Sequence, residues 1–131
     1  MNVTSFRGYQ LGSKGSSFSY CNGKIFTLIE ARLTEQQEKS IREELRYFNK
    51  KNIDTLHITS WDQDHCNFEE LKSILKKYSP SKIEYPGYSP HTDNGKSSLN
   101  LIKEYKNNKS LNINISKITS DYISKLDTAE S

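Results

Sequence analysis

The chain has 131 residues, 33% of them hydrophobic, and its 19 basic and 16 acidic side chains leave a net charge of +3. That length suits one domain, or part of one, with a modest core; recurring Tyr, Phe, Ile and Leu in periodic runs exclude a disordered polar chain despite a mean hydropathy of −0.83. The weak charge excess permits a phosphate-bearing substrate without requiring one, and no apolar run is long enough to span a membrane.

Residues 1–6 carry neither a basic nor an apolar leader region, and Cys21 and Cys66 are far apart with no Cys-x-x-Cys partner. Two free thiols in the cytoplasm are the expectation. Residues 3–10 read as an opening strand and residues 12–15 as a turn. Residues 16–21 and 24–30 read as two further strands joined at Asn22-Gly23, a pair that tolerates the positive φ angles of a tight hairpin. Thr34 and Gln37 then make a capping-box pair, and Ile41, Leu45 and Phe48 fall on one helical face. Residues 53–59 read as a short strand. Asn67 is a good N-cap for a second helix, whose stripe is Phe68, Leu71, Ile74, Leu75 and Tyr78, and Pro80 bars its continuation.

Residues 82–85 read as a strand and 86–95 as a turn-rich loop containing His91 and Asp93. A third helix is expected over residues 97–106 and a half-buried strand over 111–115, with Thr119 capping a last helical segment that reaches Leu126. A hairpin followed by alternating helices and strands predicts an α/β fold, a mixed β-sheet flanked by helices.

The densest chemistry lies in Thr59-Ser60-Trp61-Asp62-Gln63-Asp64-His65, directly after strand 53–59. Ligands in open α/β sheets bind beyond the carboxyl ends of strands. Two carboxylates and an imidazole within four residues suit a hard or borderline divalent ion, and zinc and manganese both fit an N/O donor set. An extended loop would direct Asp62 and Asp64 to one side. The bland alternative is a polar turn in which Asp64 or Asn67 caps the next helix. Trp61 reads as a packing or wall residue, His57 as a half-buried strand histidine with a partner, His91 as a surface-loop residue and Cys66 as a buried thiol. The lysine pairs Lys50-Lys51 and Lys76-Lys77 read most simply as helix-end charges; with Lys103, Lys106 and Lys109 they could also form a basic nucleic-acid face, although no nucleic-acid-binding signature accompanies them.

This run resembles the metallo-β-lactamase superfamily, which carries an H-x-H-x-D-H loop after a strand, and in particular its DNA-uptake competence proteins, which carry H-x-D-x-D-H; Ser60 stands in the place of the first histidine. Ile53-Asp54-Thr55-Leu56-His57-Ile58-Thr59 is similar to the family's strand before that loop, Gln10-Leu11-Gly12-Ser13-Lys14-Gly15 to its early glycine turn, and Glu30-Ala31 stands where it often has an Asp-Thr-Gly-like strand end. The resemblance covers roughly residues 3–90. It implies the first half of an αββα sandwich, a single partial domain over residues 1–131. It also implies Asp62, Asp64 and His65 as metal ligands and Asp64 as the catalytic residue holding the attacking water. Zn2+ or Mn2+ would be the cofactor, dinuclear only in a complete protein, since the family's remaining ligands come from its second half. Expected partners are a phosphate-ester or nucleic-acid substrate and a second polypeptide or carboxyl-terminal half. A degenerate scaffold acting as a binding or regulatory module is the alternative.

Overall fold

A computed structural model describes residues 4–109 and 113–119. Six strands form one mixed sheet in sequence order: β1 (Ser5–Gly8), β2 (Phe18–Cys21), β3 (Phe26–Ile29), β4 (Thr55–His57), β5 (Lys82–Pro86) and β6 (Asn114–Ile118). The first three pair antiparallel, and β3 to β6 pair parallel through the helices α1 (Glu35–Tyr47), α2 (Phe68–Tyr78) and α3 (Asp93–Lys109). The architecture is the expected α/β arrangement of a mixed sheet and flanking helices. No helix among the described residues is long and apolar enough to cross a membrane.

Sequential strand order with crossovers of one hand sets the helices side by side. The Glu38 carboxylate on α1 accepts from Lys77 Nζ and, at 2.5 Å, from Tyr78 Oη on α2. The period-2 pattern then divides the strands. Phe26, Leu28, Leu56 and Ile83 are fully buried and pack with Ile41, Leu71, Ile74 and Ile102 of the helices, whereas Thr27, Ile29, Thr55 and His57 between them are only half-buried.

Local signals account for the helix ends. Thr34 and Gln37 form the reciprocal capping box at α1, and Asn67 caps α2 by accepting from Glu70 N. At the far end of α1, Asn49 adopts φ 57°, and Lys50 N donates to the Leu45 carbonyl, closing the last turn in a Schellman-like motif. Ser79 ends α2 in the left-handed region just before Pro80.

Two boundaries differ from expectation. The third helix begins at Asp93, not near residue 97, because Thr92 caps it, its Oγ accepting from Gly95 N at 3.0 Å. Residues 94–95 fall in the stretch expected as a turn-rich loop, yet the glycine is there for closeness: a Cβ would stand 2.8 Å from Pro90 Cβ and 3.2 Å from Trp61 Cβ. The last strand runs over Asn114–Ile118 and pairs with all of β5, displaced from the expected 111–115. Residue 3, residues 111–112 and the helical segment expected after Thr119 lie outside the described residues.

The α1–α2 seam has a pH consequence. Burial works against the charged Glu38, but hydrogen bonds from Tyr78 and Lys77, with Lys77 and Arg42 charges nearby, outweigh it and hold the carboxyl below its ordinary pKa. A carboxyl depressed in the folded state stabilises above its unfolded pKa and loses that stability as pH falls. Urea unfolding of Glu38→Gln should therefore be weaker than wild type at neutral pH, with the difference shrinking on acidification through about pH 4. An equal difference at every pH would contradict this.

Candidate functional site

At the carboxyl end of β3 the chain must turn sharply, and Glu30 does so at φ 76°, a conformation unfavourable for a side chain with a Cβ. Its carboxylate is 3% exposed and takes three donors: Thr59 N at 2.8 Å, Thr59 Oγ1 at 2.6 Å and His65 Nδ1. Backbone bonds reinforce the junction. Glu30 N donates to the His57 carbonyl, Ala31 N to the His65 carbonyl, and Ala31 bridges in parallel to Cys66. The loop after β4 is thereby sewn to the end of β3.

A second buried charge holds the other side. Arg32 is 4% exposed; its Nε meets Glu70 at 2.9 Å, Nη1 donates to the carbonyls of Lys14 and Asp64, and Nη2 donates to Ser13 Oγ. One guanidinium thus fixes the 12–15 turn, the Asp64 loop and α2 together. The turn fits only because Gly15 has no side chain: it adopts φ 128°, and a Cβ would collide with Arg32 Nη1 and the Asp64 carbonyl oxygen.

The three expected ligands lie on one curled loop in this frame. Residues 62–66 are not extended, because His65 N and Cys66 N both donate to the Asp62 carbonyl and close a tight turn. Asp62 is exposed, and its backbone N–H donates to Ser60 Oγ at 3.1 Å. Asp64 and Asp62 both line a polar cavity of about 680 Å³ with Ser13, Lys14, Arg32, Gln63, Asn67 and Glu70. His65 is turned toward Glu30, with Nε2 4.0 Å from Asp64 Oδ1. Asp64 stands beside His65 and shares the cavity with Asp62. The helix-capping alternative holds for Asn67 alone.

A ring nitrogen tied to a carboxylate fixes the imidazole tautomer and leaves the other nitrogen free to accept or ligate. His65 has that arrangement. Two atoms bound to one zinc ion stand about 3–3.4 Å apart, so the 4.0 Å separation needs only a small side-chain adjustment. A catalytic zinc centre takes three protein ligands, and among the described residues no group of three or more His, Cys, Asp and Glu side chains is placed to hold a metal. The residues described do not make a complete centre.

The other singled-out residues take the expected bland roles. Trp61 is buried, packs against Tyr85 at 5.8 Å between ring centroids and donates from Nε1 to the Tyr88 carbonyl. His57 Nδ1 pairs with Glu84 at 2.8 Å across β4 and β5. His91 is exposed, and Cys21 and Cys66 are buried free thiols. Burial pushes Cys66 up to about 12, which makes it a poor thiolate ligand. Sequence reasoning passed over Glu30 and Arg32 as site residues. The available signal was a charged Glu-Ala-Arg run directly after an apolar strand, at the sheet edge that also carries Asp64. No family model and no curated protein matches the chain.

Glu30→Ala leaves the Thr59 N–H and Oγ1–H and the His65 ring N–H without their shared acceptor and should cost about 3 kcal/mol in urea unfolding. Gly15→Ala should destabilise by about 1–3 kcal/mol through the collision at Arg32 and the Asp64 loop. Wild-type stability in either variant would show that the two clamps are dispensable.

Proposed function

We propose that the protein supplies part of the active site of a metal-dependent hydrolase of metallo-β-lactamase type, acting on a phosphodiester or related ester. Asp64 and His65 would be its contribution to one Zn2+ or Mn2+ ion. The observation that carries this reading is the buried Glu30 carboxylate holding His65 by Nδ1, with Nε2 beside Asp64 at the carboxyl end of the parallel strands. Glu30-Ala31 departs from the Asp-Thr-Gly-like strand end that the family often has at this position. The missing donors would come from a second polypeptide or a carboxyl-terminal half. A divalent ion in such a site lowers the pKa of bound water to about 7 and polarises the ester.

A degenerate scaffold that binds a partner without metal is the second reading, favoured by Ser60. Where the family has a histidine, this hydroxyl is a weak ligand, and it is engaged with Tyr88 Oη at 3.2 Å and Asp62 N at 3.1 Å. Trp61, the single tryptophan, adjoins the loop and reports on it. Titration with zinc or manganese, followed by calorimetry and Trp61 fluorescence, should give saturable binding, micromolar or tighter, that Asp64→Ala and His65→Ala abolish. A flat titration of the folded protein would leave the scaffold reading in possession.

A further inference from the structure

The opposite edge of the sheet, where β3 and β4 begin, carries a different chemistry. The carboxyl-terminal ends of α1 and α2 enclose a cleft of about 400 Å³ whose walls include Arg42, Arg46, Asn49, Lys50, Lys51 and Tyr78, and no carboxylate lines it. We propose that this cleft binds the phosphodiester backbone of single-stranded nucleic acid.

Cations at helix ends are ordinarily explained by the helix dipole, which places about half a negative charge at each carboxyl terminus. That explanation is too small here. The last carbonyls of α1 are already satisfied by its own chain, with Phe48 N donating to Glu44 O, Asn49 N to Arg46 O and Lys50 N to Leu45 O. Nor do acidic neighbours use up the charge. Arg42 pairs with Glu38 and Lys50 with Asp54, but among the described residues Arg46 and Lys51 form no ion pair. Both are exposed, and both belong to the same cleft. Two free cations backed by two partly neutralised ones are what successive backbone phosphates require.

The dimensions favour a single strand: the cleft is too small to seat a duplex. The cleft also lies a strand length away from Asp64 and His65, since Asp54 precedes β4 and the site loop follows it. On the proposed hydrolase reading, the ester acted on would then belong to a polymer long enough to reach both edges. Backbone binding at the cleft does not itself require that reading.

The test is fluorescence anisotropy of a labelled oligothymidylate over a range of salt concentrations, with a chelator present so that no metal contributes. The wild-type protein should bind at low salt with an affinity that falls linearly in log–log form. Arg46→Glu with Lys51→Glu should lower the slope by about 1.4, corresponding to two phosphate contacts on a single strand. Lys39→Glu with Lys96→Glu, two exposed lysines elsewhere, changes the net charge equally and should leave the slope as in wild type. Circular dichroism checks that both double variants fold. Absence of binding by wild type at low salt, or equal losses in the two double variants, would overturn the proposal. Loss of metal binding in Asp64→Ala with oligonucleotide binding intact would separate the fate of the cleft from that of the hydrolase reading.

Discussion

A carboxylate removed from water must find as many donors as it gave up, and Glu30 finds them on two separate segments. Thr59 belongs to the end of β4 and His65 to the loop that follows, so satisfying one buried charge fixes the spacing of two strand ends and the orientation of an imidazole at once. The unfavourable φ of Glu30 is the cost of aiming the side chain back across the sheet edge. Arg32, two residues on, applies the same logic to the outer wall of the cavity. With only Ala31 between them, an anion and a cation face different sides of the same junction, and each organises a different part of the candidate site.

Most of the fold was legible because it rests on local codes. The capping box at Thr34 and Gln37, the Asn67 cap, the apolar stripe through Leu71, Ile74 and Leu75, and the Asn22-Gly23 pair between β2 and β3 all act within a few residues of the chain. Where local codes compete, reading fails. Asn94-Gly95 carries a turn signature, but Thr92 caps a helix through it and Trp61 needs the space that a glycine leaves. Tertiary fit overrode local preference there.

The site was legible in composition and not in geometry. Asp64 stands beside His65 and shares a cavity with Asp62, but the loop is not extended: two amides converging on the Asp62 carbonyl curl it. Glu30 and Arg32 were hidden for another reason. Their partners lie 18 to 38 residues away in sequence, in segments whose approach depends on strand order, so the charged Glu-Ala-Arg run marks the position without revealing what it holds.

The strand order itself bears on how the molecule assembles. Every strand pairs with the one before it in the chain, so no segment must wait for a distant one to complete the sheet. Each helix–strand unit can dock on an edge already laid down, beginning from the amino-terminal hairpin, and the loop-closure entropy at each addition is that of a single crossover. Such a chain can acquire structure progressively as it leaves the ribosome, its growing edge always the most recently synthesised strand.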